Sequence, residues 1–137
     1  MDQRGDTMGD YRQLTVWQVA HEMVLEIYSV TRSFPDAERW RLTDQLCRSA
    51  ASVPANIAEG AGRNSDAELA RFIRIALGSA NETEYHLRLA TDLGYLPEGT
   101  SPPLEHKVDQ VKRMLAGLLA RLTKNQSRRA TATRRQP

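Results

Sequence analysis

The chain has 137 residues, of which 40% are hydrophobic and 26% charged, with a formal net charge of +2 and one cysteine. This length predicts one domain whose core needs no disulfide or metal, and the single Cys47 excludes an internal disulfide. No apolar run reaches the length of a membrane span and residues 1–13 contain no signal-peptide core, so the simplest expectation is a cytoplasmic protein.

Positive charge is concentrated in the last fourteen residues, which contain five cations and no carboxylate. The preceding residues therefore sum to a formal charge of −3. The five cations are Lys124, Arg128, Arg129, Arg134 and Arg135.

Residues 1–13 are polar and show no helical periodicity, so they are predicted to form a flexible arm. The first helix is predicted to begin at Thr15, an N-cap candidate with Gln18 three positions later, and to end at Phe34-Pro35. Its apolar stripe consists of Val16, Ala20, Met23, Val24, Ile27 and Thr31.

The stretch from Leu42 to Glu84 has the pattern of two helices joined at residues 60–65. The second helix continues past Pro54, and Gly60 and Gly62 are predicted to close it in left-handed conformations. Its inward-facing residues are Leu42, Leu46, Ala50, Val53 and Ile57.

The third helix is predicted to be capped by Ser65, with Glu68 three positions later, and to extend to Leu93 before Gly94. Its apolar stripe consists of Leu69, Phe72, Ile73, Ala76, Ala80, Thr83, Leu87 and Ala90.

The fourth helix is predicted to start at Pro102-Pro103 and to end at Lys124. Its stripe of Leu104, Val108, Val111, Leu115, Leu118 and Leu122 has the spacing of a bundle helix. From Asn125 apolar periodicity is absent, which predicts disorder. The sequence therefore predicts an all-α protein: an up-down-up-down antiparallel four-helix bundle over residues 14–124, with a flexible arm (1–13) and a disordered basic tail (125–137).

No residue pattern predicts a catalytic, cofactor or metal site, and the protein is not expected to be an enzyme. None of the three histidines has a glutamate three positions before it, which a di-iron bundle requires. The sequence Gly60-Ala61-Gly62 is not followed by the Lys-Ser/Thr pair of a phosphate-binding loop. Cys47 has no histidine nearby in the sequence that could activate it.

Five polar residues interrupt the small and apolar faces of the second and third helices: Gln45, Arg48, Asn56, Glu59 and Glu82. If the hairpin turns near Asn64, Arg48 lies within one turn of Glu82. A charge inside a tightly packed helix pair must be matched, so a buried Arg48–Glu82 ion pair is predicted. A ligand site built from the same five residues is the alternative.

The segments LTDQLCRSAASVPANIAEGAGR and ARFIRIALGSANETEYHL resemble the family of four-helix-bundle proteins encoded in 23S rRNA intervening sequences. The accessory protein of diversity-generating retroelements resembles the same family. This resemblance implies a closed homo-oligomer, with a pentamer favoured, and no established catalytic function. The matching residues are Leu42, Gln45, Arg48, Ser52, Pro54, Asn56, Ile57, Glu59, Gly60, Phe72, Ala76, Gly78, Ser79 and Glu82.

Two functions agree with these features. The first is an oligomeric adaptor that binds nucleic acid, RNA more naturally than DNA, through basic side chains of the fourth helix and the tail. The second is a scaffold that recruits a partner enzyme such as a reverse transcriptase, with the tail only a solubilising extension. The predicted nucleic-acid-binding residues are Lys107, Lys112, Arg113, Arg121, Lys124, Arg128, Arg129, Arg134 and Arg135.

Apolar side chains beside the core stripes support the prediction of an oligomer, since leftover apolar surface on a small bundle is typical of an interface. These side chains are Trp17, Leu25, Tyr28, Trp40, Leu77 and Leu119.

Overall fold

The computed structural model describes residues 10–135, and within that range regular structure is entirely helical. The predicted all-α class is therefore confirmed. None of the described helices is both long enough and apolar enough to cross a membrane. The four long helices are α1 (Thr15–Thr31), α2 (Leu42–Ala61), α3 (Asp66–Asp92) and α4 (Ser101–Arg135), with short 3-10 turns at Tyr11–Gln13 and Asp36–Glu38.

Each long helix packs against the next one along the chain, and α4 also packs against α1, which closes a ring of four helices. The α2–α3 pair is joined by side-chain hydrogen bonds. Ser52 Oγ lies 2.8 Å from Ser79 Oγ, and Thr83 Oγ1 lies 3.0 Å from Ser49 Oγ. Residue numbers rise along α2 as they fall along α3, so these two helices run antiparallel.

Helix α4 runs antiparallel to α3. Lys112 Nζ lies 3.1 Å from Glu84 Oε2, and Arg129 Nη1 lies 3.5 Å from Asp66 Oδ2. The second contact brings the C-terminal part of α4 to the first residue of α3.

Helix α4 also runs antiparallel to α1. Lys107 Nζ lies 3.0 Å from Glu26 Oε1, while Val30 borders the same groove as Pro103. As a result, the starts of α1 and α3 and the ends of α2 and α4 lie together at one end of the bundle.

The core consists of the apolar stripes of the four helices. Every residue that the sequence pattern assigned to a stripe is buried. The central residues Met23, Ile57, Ile73 and Leu115 are each no more than 1% exposed. Apolar residues spaced three and four apart form one continuous face on each helix, so the pattern alone found most of the core. Phe34 and Ala70 are core residues that the pattern did not assign to a stripe.

Gly60 allows α2 and α3 to approach closely. A Cβ atom at this position would lie 2.8 Å from the Cβ of Phe72 and 3.0 Å from Cδ1 of Leu69. The prediction that Gly60 and Gly62 adopt left-handed conformations is wrong, because Gly60 lies within α2 and the φ angle of Gly62 is −82°. A left-handed glycine does follow α3, at Gly94.

Helix α1 begins at Thr15 as predicted, but its N-cap differs from the prediction. Leu14, not Thr15, occupies the N-cap position of α1 and provides no side-chain hydrogen bond. Gln18 Nε2 instead donates to the backbone carbonyl of Arg12 at 2.8 Å, which ties the Tyr11–Gln13 turn to the helix. The rest of the predicted arm, residues 1–9, lies outside the described residues.

Several of the apolar side chains expected beside the core are partly covered. Trp17 is half-buried between the ring of Tyr11, 5.0 Å away, and the stacked ring of His21, 4.8 Å away. Leu77 and Leu119 are half-buried against the core. The expectation of exposed apolar surface is confirmed for three of the six, namely Leu25, Tyr28 and Trp40.

Two local predictions on the α2–α3 hairpin are confirmed. Ser65 caps α3, since its Oγ accepts a hydrogen bond from the backbone N–H of Glu68 at 3.1 Å. Helix α2 continues through Pro54 without interruption.

The predicted boundary at Lys124 is wrong, because α4 continues as a helix through Arg135. The absence of apolar periodicity from Asn125 onward predicts disorder. However, adding residues to an existing helix costs far less than nucleating one, and residues 125–135 contain neither glycine nor proline. At about 1.5 Å per residue, the 35-residue α4 is roughly 52 Å long. Residues 136 and 137 lie outside the described part of the chain.

Candidate nucleic-acid interface

The first three predicted cations of α4 are paired with carboxylates. Lys107 Nζ contacts Glu26 at 3.0 Å and Glu22 at 3.2 Å. Lys112 contacts Glu84 of α3, and Arg113 Nε lies 2.9 Å from Asp109. The hydrogen bond that Lys107 donates to Glu26, together with the weaker contribution of Glu22, outweighs burial and raises the pKa of Lys107. Because Lys107 and Lys112 are largely covered and matched by glutamates of neighbouring helices, they are poor candidates for binding phosphate. Arg113 is also paired, but its partner lies on the same helix and its side chain is 81% exposed.

The later cations of α4 are placed differently. Arg121, Lys124, Arg128 and Arg134 are exposed, and no carboxylate of the described residues lies within ion-pair distance of them. Helical spacing places Lys107, Arg121 and Arg128 in one stripe along α4, because Arg121 follows Lys107 by fourteen positions and Arg128 follows Arg121 by seven. The stripe therefore continues beyond the glutamates of α1 that neutralise Lys107.

Arg129 is the exception among the later cations, because its guanidinium approaches Asp66. The side chain of Arg135 lies outside the described residues. We call residues 125–135 the α4 extension. Of the nine predicted binding residues, the structure thus pairs four with carboxylates and leaves four without a carboxylate partner among the described residues.

These exposed cations give the bundle a charge polarity. We call residues 10–21, 59–78 and 117–135 the positive end, because their sequence contains ten arginines or lysines and four carboxylates. The remaining described residues, 22–58 and 79–116, contain eight arginines or lysines and eleven carboxylates, and we call them the opposite end. Formal charges of +6 and −3 are therefore separated along the bundle axis.

The positive end includes arginines that sequence reasoning missed. The guanidinium carbons of Arg63 and Arg71 lie 5.1 Å and 4.4 Å from the ring centroid of Phe72. Arg63 also bonds Glu59, and Arg71 bonds Glu68 at 3.2 Å. The turn at residues 62–65 could have indicated them. It places the start of α3, and with it Arg63 and Arg71, at the end of the bundle where α4 ends.

The predicted buried Arg48–Glu82 ion pair is wrong. The Arg48 side chain is 79% exposed, and its Nη1 lies 3.7 Å from Asp44 Oδ2 on the same helix. Arg48 and Glu82 do border one open groove of about 400 Å³, together with Asp44 and Gln45. The buried stripe of α2 contains Leu46 and the residues at 49 and 50, and position 48 falls outside it. Its side chain therefore points to solvent.

Two other members of the polar motif act within or beside α2. Asn56 Nδ2 donates to the Ser52 carbonyl at 2.8 Å and to Ser52 Oγ at 2.9 Å. Ser52 Oγ in turn meets Ser79 Oγ, so this amide supports the polar seam between α2 and α3. Glu59 instead contributes to the positive end through its bond to Arg63.

The side chains considered above as possible nucleophiles or metal ligands are placed as follows. The hydroxyls of Ser52 and Ser79 bond each other. Burial raises the pKa of Cys47, which disfavours the thiolate that a nucleophile requires. Across residues 10–135, no group of three or more His, Cys, Asp or Glu side chains is arranged to hold a metal ion.

Comparison with known proteins agrees with this all-helical architecture. The model of the family described as 23S rRNA-intervening sequence protein matches residues 12–117. A 1.70 Å crystal structure of a protein of unknown function from the S23 ribosomal protein family of Bacteroides thetaiotaomicron superposes with a TM-score of 0.71. That protein is 24% identical, and the match covers 77% of this chain and 98% of the other, which shows a shared fold. No curated protein matches the chain.

Proposed function

This chain belongs to the 23S rRNA-intervening sequence protein family, and from that premise we propose that it is a non-enzymatic, oligomeric adaptor that binds RNA through its positive end. The supporting observation is the contrast along α4 between paired and exposed cations. Binding to a phosphate backbone depends on cations that can replace condensed counterions, and exposed, unmatched side chains meet that requirement. The family description, which refers to rRNA, favours RNA over DNA.

The binding is proposed to read the RNA backbone and its shape. The described residues have no strand to present stacking aromatic residues, and the sequence has no set of zinc ligands for base readout. Arg121, Lys124, Arg128 and Arg134 are the residues that we propose contact phosphate.

Self-association is the second part of the proposal. Large apolar side chains remain exposed on this small bundle, among them Trp40 at 78%, Tyr85 at 61% and Leu25 at 57%. Exposed apolar area of this kind is typical of an interface, and family resemblance favours a pentamer. In a ring with cyclic symmetry every α4 ends on the same side, so the ring would present several positive ends together and gain affinity by avidity.

The test compares two variants of the full chain that lose the same formal charge. The first is R121Q/K124Q/R128Q at the positive end, and the matched control is K107Q/K112Q/R113Q at the opposite end. Fluorescence anisotropy with single-stranded RNA between 50 and 200 mM salt gives the salt slope of each variant. We expect the magnitude of the salt slope to be smaller by about 2 in the first variant, at about 0.7 for each of three phosphate contacts. The control is expected to keep the wild-type slope.

Equal slopes for the two variants would contradict an interface at the positive end. Light scattering of the same samples measures the oligomeric state, which both variants are expected to retain. A monomer mass for the wild type at micromolar concentration would contradict self-association.

A partner-recruiting scaffold is the second candidate function. Its support is the exposed apolar surface at the opposite end, where Tyr28, Trp40 and Leu93 are 49%, 78% and 50% exposed. The resemblance to the accessory protein of diversity-generating retroelements suggests a reverse transcriptase as the partner. A wild-type chain that binds no RNA at 50 mM salt, but binds a purified reverse transcriptase in a Trp40-dependent manner, would favour the scaffold.

A further inference from the structure

Arg129 is held at the positive end by a covered carboxylate. Its Nη1 atom lies 3.5 Å from Oδ2 of Asp66, whose side chain is 1% exposed, whereas the Arg129 side chain is 68% exposed. The guanidinium therefore lies between a buried acid on one side and solvent on the other. Both neighbouring cations of the extension, Arg128 and Arg134, have no such partner among the described residues.

The position of Asp66 explains why a carboxylate is stable there. It is the first residue of α3 and follows the Ser65 cap, so it lies in the positive field of the helix N-terminus. The antiparallel packing of α3 and α4 then brings Arg129 over it. The contact thus follows from the antiparallel pairing of α3 and α4, seven residues beyond Leu122, the last buried apolar residue described in α4.

We propose that Asp66 is an internal competitor for RNA phosphate at Arg129. Carboxylates and phosphates bind the same guanidinium donors, so an arginine held by one is not fully available to the other. Asp66 therefore removes one contact from the α4 extension in the folded protein. This inference rests on the proposed RNA-binding function and adds that Asp66 sets the number of phosphates the interface engages.

The expected size of the effect follows from counterion release. The five cations at 124, 128, 129, 134 and 135 would give a salt slope of about −3.5 on single-stranded RNA if each neutralised one phosphate. With Arg129 held by Asp66, the salt slope contributed by these cations becomes about −2.8. If a contact contributes nothing at 1 M salt, each one changes affinity about fivefold at 0.1 M.

The first test compares neighbouring arginines in the full chain, Arg128→Gln and Arg129→Gln, by anisotropy with single-stranded RNA. Both substitutions remove one charge from the same helical turn. We expect R128Q to weaken binding about fivefold at 0.1 M salt and to reduce the slope by about 0.7, while R129Q stays within about twofold of wild type. Equal losses in the two variants would overturn the proposal.

The second test removes the competitor with the isosteric Asp66→Asn, alone and combined with R129Q. We expect D66N to bind about fivefold more tightly at 0.1 M salt with a slope steeper by about 0.7, and D66N/R129Q to match R129Q. An equal gain in both backgrounds would show that Asp66 acts only by long-range repulsion, which overturns the proposal. So would weaker binding by D66N, because Asp66 would then only position the extension.

Circular dichroism checks that each variant is folded, and the R128Q–R129Q pair decides the question if D66N is not. The two proposals fail differently in these assays. A wild-type chain that does not bind RNA contradicts the proposed function. RNA binding that depends on Arg121, Lys124 and Arg128, with R129Q and R128Q equivalent, contradicts only the role of Asp66.

Discussion

The two ends of the bundle are built from the same four helices but use their charges differently. At the opposite end, Lys107 and Lys112 bond glutamates on neighbouring helices, so their charges join the helices of the fold. At the positive end, Arg121, Lys124 and Arg128 have no carboxylate partner among the described residues. Packing there relies on Gly60 and Phe72, whose helices nearly touch. Lys107 and Lys112 thus contribute to pairing between helices, whereas Arg121, Lys124 and Arg128 contribute to the field outside the bundle.

The largest expected effect tests the packing of the positive end. Gly60→Ala places a Cβ atom 2.8 Å from the Cβ of Phe72, which cannot move without the helix backbone. We expect a loss of about 1–3 kcal/mol in the free energy of unfolding by overpacking. The matched control is Gly78→Ala in α3, where no atom lies within 4 Å of the new Cβ.

We expect G78A to gain about 0.5–1 kcal/mol, because alanine favours a helix over glycine. Urea denaturation measures both variants. A G60A protein as stable as wild type would show that the positive end is packed more loosely than the geometry indicates.

The next effect concerns the uncharged seam that joins the two ends along α2 and α3. Thr83 Oγ1 lies within hydrogen-bonding distance of Ser49 Oγ and of the Ser79 carbonyl oxygen, at 3.0 and 2.8 Å. We expect the isosteric Thr83→Val to cost about 1–2 kcal/mol, because it leaves buried polar atoms with one partner fewer. The double variant S49A/T83V removes both hydroxyls, and a double-mutant cycle by urea denaturation should show a coupling term. Simple additivity would contradict a coupled pair.

A smaller effect compares one cation from each end. We expect Lys107→Met to destabilise the protein by less than about 1 kcal/mol, because Lys107 is partly covered between two glutamates, and Arg121→Met to have no measurable effect. Because pairing raises the pKa of Lys107 above its ordinary 10.5, its contribution is fully present below pH 10.5. The contribution is lost as the pH rises through the raised value.

Thermal unfolding of K107M, R121M and wild type at pH 7 and at pH values above 10.5 checks this prediction. The gap between wild type and K107M should narrow at high pH. A larger loss for R121M than for K107M would reverse the comparison between the two ends.

The smallest effect is on thiol reactivity at the opposite end. Burial raises the pKa of Cys47, the Thr31 hydroxyl partly opposes this, and the nearby Asp44 raises it further. We expect Cys47 to react with iodoacetamide severalfold more slowly at pH 8 than the unfolded chain, because less thiolate is present. Asp44→Asn should increase the rate modestly, whereas the control Asp92→Asn, on another helix, should not. Identical rates in folded and unfolded protein would contradict the burial argument.

Helical periodicity made the core predictable. Residues such as Met23, Ile73 and Val108 recur at spacings of three and four, and burial follows from that pattern without any knowledge of neighbouring helices. The Ser65 cap was also predictable without knowledge of neighbouring helices, because its hydrogen bond reaches only three residues along the chain.

Properties that depend on contacts between helices could not be predicted in this way. The charge of Lys107 is evident from the sequence. Its neutralisation by Glu22 and Glu26 is not, because it depends on the packing of residues about eighty positions apart. The register estimate brought Arg48 near Glu82, and the two do share a groove. A difference of one position around the helix was nevertheless enough to place Arg48 in solvent.

The α4 extension has one further consequence, which concerns how such a chain can change over generations. Leu122 is the last buried apolar residue of α4 among those described, so no side chain of residues 123–134 belongs to the core. A premature stop or an added arginine within residues 125–135 would alter the charge of the bundle by whole units while leaving its interior intact. Selection can therefore adjust the affinity for polyanions without changing the apolar core, through the length and composition of a single helical end.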